Sequence, residues 1–268
     1  MPTTWDPSLV GADLLALTRL LGEPERDLAV LAEGNTSELL PDGRLVVKAS
    51  GANLAGASTD DFVVVDVDEV MSVVDDPAST QGDLTAVLVA EGTPRPGGGG
   101  PRRGSIETVV HAAVHAAGRG VVDPASARFV GHTHPTAVVG ILSSVVAAQA
   151  WSQLVYSDEA VVIGLPLFVP YATPGIDLGR VYAARLREHV EVHGTLPQLV
   201  LLGNHGIVAI APTVEGVEAV STMAVKGARV RSIAYAAGGL APLDEADVAK
   251  FFDRDDVAER RANLRRGV

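Results

Sequence analysis

The chain has 268 residues, 21 of them Lys or Arg against 33 Asp or Glu, a formal charge of −12 at pH 7. At about 150 residues per domain this allows one large or two small domains, and the acidic balance argues against nucleic acid or an anionic membrane as the main partner. There is no cysteine, so disulfides, thiolate metal sites, iron–sulfur clusters and cysteine nucleophiles are excluded, and a metal would need His, Asp, Glu or backbone oxygen.

The first ten residues carry neither a basic segment nor a long apolar run, and no stretch reaches the roughly 18 apolar residues of a membrane helix. The expectation is a soluble cytoplasmic protein. Residues 9–21 have Leu14, Leu17 and Leu21 at helical spacing, ended by Gly22 and Pro24. Residues 28–32 read as a second short helix or turn. Polar turn signals follow, Gly34-Asn35-Thr36-Ser37 and Pro41-Asp42-Gly43, with β-type runs at 44–48 and 62–67. Residues 93–104, TPRPGGGGPRRG, forbid a helix or central strand. They read as a surface loop whose Arg95, Arg102 and Arg103 are either solvated or meet an anion.

Ser105 is a candidate N-cap for a helix to about residue 117. Residues 127–130 read as a strand leading into His132-Thr133-His134-Pro135, followed by a helix over 136–149. Strands are expected at 160–164 and 167–169, and a helix over 178–192. The runs 199–202 and 207–210 flank Gly203-Asn204-His205-Gly206, a tight turn between paired strands. Thr213 opens another helix, and the charged tail, 243–266, reads as helical. Strands with intervening helices indicate an α/β domain with some antiparallel pairs.

Seven histidines are the only strong transition-metal ligands. His132 and His134 are two apart, so in a strand both imidazoles face one side. By itself the pair is also compatible with two ordinary histidines. His205, in the tight turn, would complete a three-histidine set with an open position, or would simply face water. Glu107 and His111 are four apart and share a helix face, with His115 on the same line. A carboxylate in the first turn stays ionised beside the helix dipole, which suits a metal ligand, a general base or an ordinary first-turn acid.

Five segments in order, Gly34-Asn35-Thr36-Ser37, Lys48-Ala49-Ser50-Gly51, Ser105-Ile106-Glu107 with His111, His132-Thr133-His134-Pro135 and Asn204-His205-Gly206, resemble the class II aldolase/adducin family over residues 9–240. The resemblance implies a single three-layer α/β domain, a mainly antiparallel sheet covered by helices, assembled as a homotetramer. It implies Zn²⁺, or another divalent transition metal, on His132, His134 and His205, with Glu107 as acid/base. Asn35, Thr36, Ser50, Gly51 and Ser105 would line a phosphate pocket. Tyr156 would be a catalytic tyrosine contributed across a subunit boundary. The implied reaction is cleavage of a ketose 1-phosphate of the fuculose or rhamnulose type to dihydroxyacetone phosphate and an aldehyde. The metal would act as a Lewis acid for the enediolate, the carboxylate would move a proton at carbon, and the phenol would move one at the aldehyde oxygen. Backbone N–H groups around Asn35 and Gly51 could hold a phosphate without net positive charge.

Three features qualify this reading. Ile106 stands where the family's aldolases often have a second serine, and no tyrosine follows Tyr235. Family epimerases tend to carry Asp where Glu107 stands, which favours the aldolase. The alternatives are a sugar-phosphate 4-epimerase, a decarboxylase of a 3-oxo-acid phosphate, or a non-catalytic adducin-like module, which retention of the histidines opposes. The glycine run 97–100 follows Pro-Arg-Pro rather than a strand, so a dinucleotide fold is set aside.

Overall fold

The computed structural model describes residues 1–94 and 100–266. In chain order its elements are α1 (Ala12–Leu21), β1 (Asn35–Leu39), β2 (Arg44–Lys48), β3 (Phe62–Asp66), α2 (Val67–Asp75), α3 (Gln81–Val87), β4 (Val89–Pro94) and β5 (Pro101–Arg103). Next come α4 (Thr108–Gly118), β6 (Phe129–Thr133), α5 (Thr136–Leu142), α6 (Ala147–Ala150), α7 (Ser157–Val162), β7 (Leu167–Val169) and α8 (Ile176–His193). The last are β8 (Leu199–Leu202), β9 (Gly206–Ala211), α9 (Val214–Ala236), α10 (Glu245–Phe252) and α11 (Asp255–Arg266).

Seven strands form one sheet in the order β3-β2-β1-β6-β9-β8-β7. Every pair is antiparallel except β7 with β8. Strand alternation sorts the side chains into two cores. Leu45, Val47, Val63, Val65, Val130, Val200, Val208 and Ile210 pack under α2, α4 and α8. Val46, Val64, Phe129, Leu199, Leu201, Ile207 and Ala209 pack under α1, α5 and α9. The result is a helix–sheet–helix sandwich, as expected, with strands rich in valine and isoleucine buried on both faces.

Several local expectations give way to tertiary contacts. The segment 34–37 is not a turn; strand β1 begins at Asn35 because β2 and β6 flank it on both sides. Of the short helix or turn expected at 28–32, the turn is what forms, at Leu31-Ala32, with the Glu33 N–H donating to the Val30 carbonyl at 3.1 Å. Leu31 there sits at φ 58°, and the carbonyl of Leu28 accepts from the His134 N–H at 2.8 Å. The helix expected over 136–149 breaks after Leu142, whose carbonyl is taken by the Asn204 N–H at 3.1 Å. The strand expected at 160–164 is instead helix α7, tied to α9 by the buried Glu159–Arg231 ion pair.

The stretch 93–104 is not all loop: its first two residues end β4 and 101–103 form β5, and the two strands pair as a small antiparallel ribbon separate from the main sheet. Arg95 and residues 96–99 lie outside the described residues. Arg102 is not poised for an anion: it is buried, stacks on Trp5 at 4.5 Å and donates to the Asp60 carbonyl. No helix among the described residues is long and apolar enough to cross a membrane.

Candidate active site

Three strand ends and one helix start meet at one end of the central strands β1, β6 and β9. Asn35, at the start of β1, is in register with His132 near the end of β6, and His132 is in register with Val208 of β9. Asn35 and His132 project to the side occupied by α4, whose N-cap residue is Glu107. Two glycines admit this closeness. A Cβ on Gly34 would meet the His132 carbonyl at 2.7 Å, and one on Gly206 would meet the Thr133 carbonyl at 2.4 Å.

The metal-type side chains of Glu107, His132, His134 and His205 converge here, their ligand atoms all within 4.8 Å of one another. Glu107 Oε2 lies 3.1 Å from His132 Nε2, and Glu107 Oε1 lies 2.8 Å from His205 Nε2. His134 Nε2 is 3.0 Å from His132 Nε2. The three rings meet edge to face, with centroids 4.8–5.0 Å apart. His132 Nδ1 lies 2.8 Å from the Ile207 carbonyl, an acceptor only, so Nδ1 carries a proton and Nε2 of the neutral ring offers a lone pair. The His205 Nδ1 is buried without a partner. Three imidazoles and one carboxylate aimed at a common point fit a divalent transition metal.

Electrostatics follow from the contacts. Burial alone would raise Glu107, but His132 and His205 more than offset it and hold the carboxyl well below the usual carboxylate range. Burial alone would lower His132, yet Glu107 beside it lifts the imidazole above its ordinary value. His134 is pushed down to about 3 by burial and by His132 and His205. Protons and a cation therefore compete for this centre.

Beside the centre, the Asn35 Nδ2 donates to Ser105 Oγ at 3.2 Å and to Glu107 Oε2 at 3.4 Å. Ser105 is not the N-cap of α4. Its Oγ accepts from the Glu107 N–H at 3.3 Å, in the turn that leads into the helix. Ser50 and Gly51 are brought alongside: Ala49 bridges to Gly104, Ser105 N donates to the Lys48 carbonyl at 3.4 Å and Ser50 N to the Arg103 carbonyl at 2.9 Å. Gly51 sits at φ 83°, open to backbone donation.

Two candidates fall elsewhere. The Thr36 side chain points to the opposite face of β1, where its hydroxyl meets Thr18 Oγ1 at 2.6 Å; strand alternation after Asn35 dictates this. The Tyr156 hydroxyl donates to Met223 Sδ at 2.7 Å, not to Glu107 or the histidines of its own chain. Burial and the nearby Glu159 and Asp158 push this phenol up to about 12.

Lys48, quoted above only as the first residue of the Lys48-Ala49-Ser50-Gly51 segment, has a contact role that the segment did not reveal. Its buried ammonium donates to the carbonyls of Ala52 at 2.6 Å and Ala49 at 3.3 Å, closing the Ser50–Gly51 loop.

A helix-covered mixed sheet here gathers three histidines and one glutamate, a group that could hold a metal ion, at the ends of its central strands. The sequence matches the model of the class II aldolase and adducin N-terminal domain over residues 12–231, and the chain belongs to that family. The fold is similar to that of L-fuculose 1-phosphate aldolase, at a TM-score of 0.64 and 18% identity, covering 91% of this chain and 96% of that one. It is similar to L-fuculose-1-phosphate aldolase from Thermus thermophilus, at 0.56 and 20%, covering 86% and 100%. It is also similar to YgbL from Escherichia coli, described as a candidate aldolase/epimerase/decarboxylase, at 0.61 and 19%, covering 89% and 95%. No curated protein matches the sequence closely enough to count as a relative.

Proposed function

We propose that this protein is a zinc-dependent aldolase that cleaves a ketose 1-phosphate of the fuculose or rhamnulose kind into dihydroxyacetone phosphate and an aldehyde. The observation that carries this is the convergence of Glu107 with His132, His134 and His205 beside the Asn35–Ser105 pair. The three imidazoles would hold the cation. When bound, the ion supplies Lewis-acid stabilisation of negative charge developing on the substrate oxygens.

The chain's own groups supply the rest. Glu107 moves the proton at the carbon that loses its aldehyde partner: once it has left His132 and His205 and taken up a proton, it would deliver that proton to the carbon in cleavage, and as a carboxylate it would remove it in condensation. Its contacts with His132 and His205 mean that it must swing aside when substrate enters. The Asn35 amide and the Ser105 hydroxyl donate to the phosphate or another anionic oxygen. The Ser50–Gly51 backbone, braced by Lys48, adds N–H donors. Tyr156, whose hydroxyl is bonded to Met223 in its own chain, would serve a neighbouring subunit's site in a homotetramer and handle the aldehyde oxygen. The 268 residues would work as one domain in the cytoplasm.

The same groups would serve a 4-epimerase or a 3-oxo-acid phosphate decarboxylase, while Ile106 in place of a second serine bears on whether the substrate carries a phosphate. The test is incubation of the zinc-loaded protein with fuculose 1-phosphate, rhamnulose 1-phosphate, pentulose phosphates and 3-oxo-acid phosphates, with products followed by NMR. Dihydroxyacetone phosphate from a ketose 1-phosphate supports the aldolase. A C4 epimer or carbon dioxide as the sole product moves the assignment to the corresponding alternative. A protein that takes up no zinc and turns over none of these compounds moves it to an interaction module.

A further inference from the structure

His111 is buried one turn into α4 beyond Glu107, and both of its ring nitrogens face β1. Nδ1 lies 2.7 Å from Ser37 Oγ, and Nε2 contacts Asn35 Oδ1. Asn35 and Ser37 share the α4 side of β1, because strand side chains alternate. The donor directions can be read outward from the carboxylate. Glu107, ionised, can only accept, so Asn35 must present its NH₂ to it. That leaves Asn35 Oδ1 facing His111, and a carbonyl oxygen can only accept, so Nε2 carries the proton. The ring is neutral, since burial drives it well below the ordinary histidine value, and Nδ1 accepts from the Ser37 hydroxyl. One polarised chain results: Ser37 O–H to His111, His111 Nε2–H to Asn35, and Asn35 N–H to Glu107 and Ser105.

We propose that His111 is a positioning residue that fixes the Asn35 amide so that its NH₂, and not its carbonyl, faces the substrate pocket. An asparagine amide can flip by half a turn with little change of shape, and the flipped form would offer an acceptor to an anionic substrate. His111 forbids the flip, because its only proton on that side needs the carbonyl. The ligand governed in this way is the anionic oxygen of the substrate, a phosphate or carboxylate. This rests on the reading of Asn35 as a substrate donor.

Three variants separate the functions of the ring. His111→Gln can keep a donor near the Nε2 position, His111→Asn can keep only a group near Nδ1, and His111→Phe keeps neither. In zinc-loaded protein, the Kd for dihydroxyacetone phosphate by calorimetry should rise about tenfold or more in His111→Asn and His111→Phe, equivalent to loss of about one charge-assisted hydrogen bond. His111→Gln should recover most of it. KM should move with Kd, while kcat changes less and zinc content stays constant. Neutron crystal structures, in which amide nitrogen and oxygen are told apart by their deuterons, should place Asn35 in its original orientation in His111→Gln and turned or displaced in His111→Asn. Unchanged Kd and an unmoved Asn35 in His111→Asn would overturn the proposal. If wild type neither binds dihydroxyacetone phosphate nor cleaves any ketose phosphate, the functional reading fails, while the Asn35 orientation in the crystals still decides the positioning role. If His111→Phe does not fold, the Gln and Asn pair carries the comparison.

Discussion

The Glu107 carboxylate spans two imidazoles from separate strand ends, with Oε2 at 3.1 Å from His132 and Oε1 at 2.8 Å from His205. It therefore stands where it can be both a partner of the centre and, once displaced, a proton carrier. Glu107→Gln keeps the shape and all three histidines but loses the base. Zinc content should remain at one per chain while ketose-phosphate cleavage falls by about 10²- to 10⁴-fold. Metal analysis beside a coupled assay for dihydroxyacetone phosphate checks this, and a full-rate variant would remove Glu107 from the acid/base role.

Binding of zinc to the folded centre should stabilise the chain, by about 2.7 kcal/mol at a free-metal concentration of 100 times Kd. Melting curves with and without zinc measure it. His132→Ala removes the ligand whose orientation Ile207 fixes. Its melting temperature should respond far less to zinc at the same concentration. An equal response in this variant would mean that the stabilising ion sits elsewhere.

Lys48 predicts a pH dependence on the alkaline side. Burial pulls its ammonium down from 10.5 to about 8, against the weaker pull of Asp61 and Glu107. Below pH 8 both folded and unfolded chains hold the proton, and the full cost of burying the charge is present. Between about 8 and 10.5 only the unfolded chain holds it, so this residue's contribution to stability rises with pH. Denaturant unfolding of wild type and Lys48→Met from pH 7 to 10.5 should give a difference that shifts in favour of wild type as pH rises. A difference independent of pH would contradict the depressed ammonium.

The Glu159–Arg231 pair is fully buried. Arg231 also donates to the carbonyls of Ala150 at 2.6 Å and Gln153 at 3.2 Å, with Trp151 stacked at 3.9 Å. It thereby clips the segment that leads to Tyr156 onto α9. Arg231→Met strands a buried carboxylate and should cost about 3–5 kcal/mol in urea unfolding. The double variant Arg231→Met with Glu159→Leu should cost less, because no unpaired charge remains. Equal losses in the single and double variants would assign the effect to packing around Trp151 instead.

Much of this architecture is legible along the chain. Leu14, Leu17 and Leu21 mark α1, and the β-branched runs at 44–48 and 62–67 match β2 and β3 closely. The His205 turn between β8 and β9 follows from its asparagine and glycines, and Asn204 adopts φ 53° as such a turn requires. The errors have a common cause. The apolar run Val161-Val162-Ile163 reads as strand by residue type, but Glu159 buried against Arg231 holds it as helix. Asn35-Thr36-Ser37 reads as turn by polarity, but its polar groups are satisfied one by one from neighbouring elements. Asn35 meets Ser105, Thr36 meets Thr18 and Ser37 meets His111.

Zero cysteine and a three-histidine, one-glutamate set narrowed the metal chemistry from sequence alone, because the identity of a ligand is a property of the residue. Local spacing also decided which neighbours share a face, as with Glu107 and His111 on α4. Sequence could not decide that Thr36 turns away from Asn35's pocket, that the Tyr156 hydroxyl meets Met223, or that Lys48 braces the Ser50–Gly51 loop. Nor could it show His111 holding the Asn35 amide. Those outcomes depend on strand register and helix placement, which bring distant segments into contact or leave them apart, and a difference of one residue in register reverses the face. Periodicity along a chain fixes direction; distance between elements is fixed only when the two cores close on the sheet.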